Sequence, residues 1–349
     1  MPLTNAMQMI AENRLLSRWS DLLERRPDQQ NHPQETDAEL VPLPDGKNLL
    51  CTTVDTIAEE IALGFYRYPE TIGWMGATVS LSDLAAVGSQ PLGLVVSVTL
   101  PQDADPSFQE GVARGLDAAC RAAGTFVLGG DTNFGQAASI TSCALGLVPA
   151  DRLLRRTGCQ PGQLVYASGR LGAGSAAAAR AIMDIPEKLY SESDFRPRAR
   201  IEEAQHLSGF AKACMDTSDG LVATLDQLMR LNQVGFEITA GLMDALEPRS
   251  RRLCRQLGVP PLLLLAGHHG EFELVFTVAK EDRDRFERQA RSRGFTPLLL
   301  GRTIADPVIR IAGDPPRQID SARIRNLADE AGGDLTRYLM ELTQIVTGT

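Results

Sequence analysis

Residues 151–175, DRLLRRTGCQPGQLVYASGRLGAGS, divide the chain into two halves. The segment up to Gly162 is polar and irregular, which is typical of a boundary between domains. From Leu164 the pattern changes to an apolar strand, a glycine-rich loop and an alanine-rich helix. Because short apolar strands also alternate with helices before this segment, the sequence predicts two α/β units in succession.

The elements on both sides of the boundary are predicted from apolar periodicity and from turn residues. We expect an N-terminal helix and linker over residues 1–36, one domain over 37–150, a second α/β domain over 151–315, and a C-terminal helical extension over 316–349. The individual predictions are strands over 49–54, 94–100, 125–128, 140–145, 164–168, 237–239, 273–278 and 308–311, and helices over 110–123, 221–231, 281–293 and 334–346.

The first 26 residues have the pattern of an amphipathic helix, with Leu15, Trp19 and Leu22 on one stripe. Such a stripe packs either against the rest of the same chain or against a second copy or another partner. The sequence leaves both alternatives open.

The composition is that of an ordinary globular protein. Of 349 residues, 43% are hydrophobic and 23% are charged, and 35 Lys and Arg against 44 Asp and Glu give a net charge of -9. This charge argues against binding to nucleic acid or to an anionic membrane, both of which require a positive surface. The six cysteines form no Cys-x-x-Cys pair, and the N-terminus carries charges where a signal peptide is apolar. We expect a cytoplasmic protein with reduced thiols and no membrane span.

Common nucleotide-binding and hydrolase motifs are missing. The sequence contains neither a P-loop nor a complete G-x-G-x-x-G after a strand, and no G-x-S-x-G elbow. The loop over 169–175, GRLGAGS, comes nearest, and its backbone N–H groups either hold a phosphate or serve a tight turn. His268 and His269 lie in a loop before a strand, and an exposed or structural role is favoured for them.

A set of aspartates gives the stronger signal. They lie at the predicted ends of strands or in loops rich in small residues, where each one alone is most simply a helix cap or a turn residue. Together they indicate a cation site, since grouped carboxylates repel one another unless cations neutralise them, and Mg²⁺ commonly joins carboxylates to substrate phosphates. An acidic protein without a P-loop would hold ATP in this way. The set is Asp37, Asp55, Asp83, Asp131, Asp216 and Asp219.

The segments around these aspartates resemble one family when they are taken in order. They are DAELVPLPDGKNLLCTTVDT (37–56), IGWMGATVSLSDLAAVGSQPLGLVVSVTLP (72–101), FVLGGDTN (126–133), PGQLVYASGRLGAG (161–174), MDTSDGL (215–221) and GEFELVF (270–276). Over residues 37–312 the chain resembles the thiamine-monophosphate kinase branch of the aminoimidazole ribonucleotide synthetase superfamily. The resemblance implies a two-domain α/β fold of the PurM type, with an N-terminal mixed sheet that forms a barrel in a homodimer. It also implies ATP, several Mg²⁺ ions and direct transfer of the γ-phosphate.

The roles of single residues follow from the same resemblance, which makes the domain over 37–150 the ATP- and Mg-binding and dimerising unit. The implied metal ligands are Asp37, Asp55, Asp83, Asp131 and Asp216. The implied nucleotide contacts are Thr53, Gly129, Gly130, Asp131, Ser218 and Asp219. The catalytic pair is Asp216 and Asp219, and the substrate contact is Glu271.

The chain departs from the family pattern at several positions. Thr36 stands where the first acid of an Asp-Asp pair is expected, so that one ligand is lost or replaced by Glu35. Ala62 stands where the family has the histidine of the thiamine phosphate pocket, and a helix replaces an aromatic C-terminal tail. Nucleotide and metal residues therefore persist, whereas acceptor residues do not.

These observations favour an ATP- and Mg-dependent phosphotransferase whose small-molecule acceptor differs from thiamine monophosphate. One alternative is a ligase or cyclase that phosphorylates an amide or carboxylate oxygen and then releases free phosphate. The other is a nucleotide-binding protein without activity, which the retained acids argue against, because unpaired buried carboxylates are costly.

Overall fold

The computed structural model describes residues 10–348, and their strands form two sheets. The strands are β1 (Glu39–Pro42), β2 (Asn48–Thr56), β3 (Gln90–Pro101), β4 (Val127–Gly135), β5 (Ser139–Pro149), β6 (Leu164–Ala167), β7 (Ala211–Asp216), β8 (Gly235–Ile238), β9 (Leu274–Val278), β10 (Leu298–Ile304), β11 (Ile309–Ile311) and β12 (Arg317–Ile319). The helices are α1 (Ala11–Leu22), α2 (Ala58–Ala62), α3 (Pro69–Ala86), α4 (Pro106–Ala122), α5 (Ala173–Ile182), α6 (Ile201–Leu207), α7 (Gly220–Asn232), α8 (Leu242–Ala245), α9 (Pro248–Leu257), α10 (Pro261–Ala266), α11 (Arg283–Ser292), α12 (Ser321–Ala331) and α13 (Leu335–Thr347).

The first sheet is mixed and has the strand order β1-β2-β5-β3-β4. Burial alternates along β5, so that one face of the sheet meets α3 and the other stays open. Helices α3 and α4 cross closely through two glycines: a Cβ on Gly73 would lie 2.0 Å from the carbonyl oxygen of Val112, and one on Gly115 would lie 2.2 Å from that of Glu70. This close packing fixes α3 above the sheet.

The second sheet has the order β12-β11-β8-β10-β6-β9-β7, and helices cover both of its faces. Phe286 of α11 packs edge-on against Tyr166 and Phe276 on one face. Leu225 and Leu228 of α7 lie in the core on the other face. Helix α3 contacts β7 as well as β2 and β5, so it joins the two sheets. The predicted two-domain α/β fold is confirmed.

Two predictions about local structure are wrong. Residues 69–86 form one helix, α3, so Asp83 lies on a helix rather than in a loop or at a strand end. This helix is buried on nearly all sides, and a helix that is apolar all round has no periodic stripe by which to recognise it. Strand β4 begins at Val127 and continues through Gly129, Gly130 and Asp131, which the glycines had led us to place after a strand.

The two ends of the described chain pack together. The backbone N–H of Ala11 donates to Asn326 Oδ1 at 3.0 Å, and Arg325 pairs with Glu12 at 3.2 Å. The predicted stripe on α1 is open to solvent, since Trp19 is 54% and Leu22 is 82% exposed, and the part of that prediction over residues 1–9 lies outside the described residues. Strand β12 pairs with β11, so the second sheet extends past the boundary predicted at residue 315. None of the described helices is both long and apolar enough to cross a membrane.

Candidate active site

Three carboxylates from distant parts of the chain meet between the two sheets. Asp37 precedes β1, Asp83 lies near the end of α3, and Asp216 ends β7. One oxygen from each lies within 4.8 Å of the others, which is close enough for a single cation to contact all three. The predicted convergence of acids from both halves therefore holds for these three residues.

Each carboxylate is held by a specific partner. The hydroxyl of Thr53 donates to Asp83 Oδ2 at 2.6 Å, and the hydroxyl of Ser82 donates to Asp216 Oδ2 at 2.5 Å. The guanidinium of Arg156 pairs with Asp37 Oδ1 at 2.9 Å. Thr53, predicted as a nucleotide contact, thus orients an acid of the trio.

The trio is strained electrostatically. Burial raises the pKa of Asp83 well above its usual range, and the charges of Asp216 and Asp37 raise it further. Burial, followed by the charge of Asp37, also raises the pKa of Asp216. Arg156 supplies one positive charge against three acids, so a negative excess remains that a divalent cation would neutralise.

One atom shows that the trio fits a metal ion. Asp37 Oδ2 is buried and has no hydrogen-bond partner among the described residues. An unsatisfied buried carboxylate oxygen is costly, and oxygen donors of this type suit Mg²⁺. Asp37, Asp83 and Asp216 are therefore the residues that would hold such an ion.

A second group of acids lies beside the trio. Burial raises the pKa of Asp55 to about 6, and the charge of Asp219 contributes in the same direction. Asp55 also acts on Asp83, which places it between the trio and Asp219. Ser218 N donates to Asp216 Oδ1 at 3.5 Å, so the segment 216–219 follows the edge of the site.

Asp131 does not join these acids within one chain. Cross-strand pairing runs from Asp131 through Ser97 and Thr141 to Thr56, three strands and about 14 Å away. Because neighbouring residues on a strand point to opposite faces, Asp55 and Asp131 lie on opposite sides of the sheet. Asp131 is exposed on the edge strand β4, and its described hydrogen bond is from Asn133 at 2.7 Å.

The two predicted phosphate-binding glycines differ in environment. A Cβ on Gly130 would lie 1.7 Å from the carbonyl oxygen of Val96, so glycine is required there for β4 to pair with β3. No atom of the described chain lies within 4 Å of a Cβ built on Gly129. Packing is therefore a sufficient reason for glycine at 130, whereas Gly129 remains open for contact.

Glu271, predicted as a substrate contact, is buried and turned inward. Its carboxylate accepts hydrogen bonds from Gly172 N at 2.6 Å and from the hydroxyl of Thr217 at 3.0 Å. The helix N-terminus in the loop 169–175 thus holds an anion of the protein itself, where we had considered a phosphate. Burial raises the pKa of Glu271 to about 8, and the charge of Glu273 adds to this effect.

Glu35 does not replace the missing acid at position 36. Its carboxylate accepts from His32 N at 2.9 Å and faces Arg155 at 3.7 Å, away from the trio. Thr36 is buried and donates to the carbonyl of Ala38 at 2.8 Å. Arg156, which the sequence placed in a domain boundary, is the residue that the prediction missed, and no motif signalled it.

The two histidines have different environments. His269 is buried among Phe65, Tyr66 and Phe195, and burial lowers its pKa to about 4, which makes it a neutral core residue. His268 Nε2 lies 3.7 Å from Asp219 Oδ1, beside the acids. The predicted structural role therefore fits His269, whereas His268 lies at the site.

Comparison with known proteins identifies the family. Residues 35–148 match the model of the AIR synthase related protein N-terminal domain, and residues 160–314 match that of its C-terminal domain. The chain belongs to the AIR synthase related family. The thiamine-monophosphate kinase of Archaeoglobus fulgidus is 30% identical to it over 266 residues, which are 74% of this chain and 83% of that protein. This relative confirms the predicted kinase branch and, with it, the predicted class of ATP-dependent kinase.

Two solved structures share the fold. The crystal structure of tt0281 from Thermus thermophilus is 30% identical, with a TM-score of 0.73, and covers 87% of this chain and 97% of its own. AaThiL complexed with AMPPCP and TMP is 24% identical, with a TM-score of 0.71, and covers 87% of this chain and 94% of its own.

Proposed function

We propose that this chain transfers the γ-phosphate of ATP to thiamine monophosphate. The observation that carries the proposal is an apolar cavity that ends at the acids of the candidate site. The relative from Archaeoglobus fulgidus carries the name thiamine-monophosphate kinase, and AaThiL was crystallised with TMP, which supports this acceptor. The sequence-based prediction of a different acceptor has no support from these relatives.

The cavity has a volume of about 230 Å³ and two chemically different ends. Leu264 and Leu339 belong to its apolar wall, and Glu59, Glu60 and Asp219 line its acidic part. Helix α13 forms part of the wall, and its Tyr338 hydroxyl accepts a hydrogen bond from His268 N at 2.8 Å. The helix that replaces the expected aromatic tail therefore closes the cavity.

The acidic part favours a cationic acceptor. Burial raises the pKa of Glu60 to about 7, and the charges of Asp55, Glu59 and Asp219 raise it further. A positive ring beside Glu60 would relieve this repulsion, because an opposite charge stabilises the ionised carboxylate. The thiazolium ring of thiamine monophosphate carries such a charge, and its pyrimidine ring suits the leucine wall.

The acid trio serves the other substrate. Asp37, Asp83 and Asp216 would hold Mg²⁺, which when bound neutralises the charge of the ATP phosphates. Asp219 and Ser218 lie between the trio and the cavity, where the phosphates of donor and acceptor would meet. The protein then contributes alignment and charge neutralisation, which supply most of the catalysis in phosphoryl transfer.

We further propose a homodimer that forms through the first sheet. Edge strand β4 is exposed along its length, and Phe126 and Leu128 are 70% and 57% exposed. Val54 on the open face is also 66% exposed. Large apolar side chains on a free edge strand favour pairing with another chain. In such a dimer, Asp131 of a second copy would have a route to the site that it lacks within one chain.

The function is tested by incubating the enzyme with ATP, Mg²⁺ and thiamine monophosphate and separating the products. The proposal predicts equal amounts of ADP and thiamine diphosphate. Glu60→Gln should raise KM for thiamine monophosphate while leaving KM for ATP unchanged, and Glu110→Gln, which changes an exposed acid on α4, is the matched control. Free phosphate in place of thiamine diphosphate would instead favour the ligase or cyclase alternative.

A further inference from the structure

A second cavity, of about 340 Å³, lies in the second domain and is rich in arginine. Glu271 and Glu273 contribute to its lining, and both are buried. We call it the arginine cavity, and the arginines that line it are Arg170, Arg196, Arg198, Arg200 and Arg249. A concentration of cations is unexpected on a chain of net charge -9.

The acids of the arginine cavity already have partners. Glu273 accepts from Arg200 Nε at 2.8 Å, and Glu271 is held by Gly172 and Thr217 as described above. Glu247 caps α9, because its carboxylate accepts from the backbone N–H of Arg249 at 2.9 Å. These carboxylates are therefore already satisfied by groups of the protein.

The remaining acid, Asp194, pairs with Arg249 at 2.6 Å. Three arginines are left with donors that no acid of residues 10–348 takes up. Arg198 makes no hydrogen bond or ion pair with any residue in the described part of the chain. Arg196 lies 5.3 Å from the ring centroid of Trp74, a contact that leaves its N–H groups free to bind an anion. Arg170 bonds to the carbonyl of Asp244, which leaves its charge uncompensated by that bond.

We propose that the arginine cavity binds a diphosphate-bearing small molecule, at a site apart from the candidate active site. Guanidinium groups present several N–H donors in a plane, which matches the oxygens of phosphate groups. The buried Thr217 and Glu271 separate this cavity from Asp216 and Ser218. The two sites also differ in chemistry, because the acid trio repels phosphates without a divalent cation, whereas the arginines need none.

Metal independence gives the test, and inorganic pyrophosphate in EDTA is the probe. Isothermal titration calorimetry on the full-length protein should show one saturable site per chain. The double variant Arg196→Ala, Arg198→Ala should weaken pyrophosphate binding at least about tenfold, since each charge-assisted hydrogen bond contributes roughly 1.5–3 kcal/mol. The Asp83→Asn variant should bind pyrophosphate as the native protein does. ADP, titrated in the same buffer, shows whether a diphosphate ester binds more tightly than the free diphosphate.

A matched control excludes nonspecific attraction. Arg288→Ala removes an exposed arginine on α11, outside the cavity, and should leave the affinity unchanged. The fluorescence of Trp74 gives a second readout, because a ligand that engages Arg196 changes the contact with the indole; Trp19→Phe removes the other tryptophan. The proposal is overturned if no saturable binding occurs in EDTA, if Arg288→Ala weakens binding as much as the double variant, or if binding requires Mg²⁺. None of these results bears on thiamine monophosphate turnover, which is measured separately.

Discussion

Replacing Asp83 by asparagine should stabilise the metal-free protein. The substitution keeps an oxygen to accept from Thr53 but removes one of three carboxylates whose oxygens lie within 4.8 Å. At an effective dielectric constant of about 20, each like-charge pair at this separation costs about 3 kcal/mol. Proton uptake and Arg156 offset part of this repulsion, so we expect a net gain of about 2 kcal/mol and a rise in Tm of about 4 °C.

The same variant should lose its response to Mg²⁺. The native protein should gain about 2.7 kcal/mol when free Mg²⁺ is about a hundred times its Kd, because the ion binds only the folded state. Thermal unfolding at about pH 8 in EDTA and in saturating MgCl₂ measures both effects in one series. Asp117→Asn, on the exposed face of α4, is the control and should change neither value. Destabilisation of Asp83→Asn in EDTA, or a native-sized gain from Mg²⁺, would refute the reasoning.

Three further outcomes are expected. Mixing inactive Asp83→Asn and Asp131→Asn chains should restore about a quarter of native activity, since half of the random dimers carry one intact site of two; a mixture that stays inactive would contradict a shared site. Gly115→Ala should lower the urea-measured unfolding free energy by about 2 kcal/mol, because its Cβ would lie 2.2 Å from the Glu70 carbonyl oxygen; an unchanged midpoint would be inconsistent with the helix crossing. Because burial raises the pKa of Glu271 to about 8, the native state retains a proton that the unfolded chain releases, so stability should fall as pH rises from about 4.5 towards 8. Glu271→Gln should flatten that slope, and an equally steep slope in the variant would show that other groups cause it.

The elements with clear periodicity could be predicted from the sequence. Strand β5 alternates between buried and partly exposed residues, and α4 has one apolar stripe, so both leave a pattern. Helix α3 leaves none, because both sheets and α4 surround it. Its burial on all sides explains both the missed helix and the wrong environment assigned to Asp83.

The candidate site was predicted in part. Residue types and motifs point to Asp37, Asp83 and Asp216, which the fold then brings together over long distances in the chain. Strand register decides that Asp131 points to the other face, and register depends on pairing that no local motif encodes. Arg156 was missed for a related reason, since only the folded chain places it beside Asp37.

The inward position of Glu271 has the same kind of cause. A carboxylate that follows a glycine-rich loop in space can neutralise the helix N-terminus itself, and the sequence alone does not distinguish this from a phosphate site. The loop 169–175 therefore illustrates that an anion-binding motif can be filled by a side chain of the same protein.

The central claim is that acids from both halves of the chain hold a divalent cation for ATP. Crystals grown with Mn²⁺ and a nonhydrolysable ATP analogue test it most directly, because Mn²⁺ is located by its anomalous scattering. We predict a peak in contact with Asp37, Asp83 and Asp216 and next to the triphosphate. A triphosphate bound elsewhere, or an anomalous map with no peak among these three carboxylates, would contradict the account.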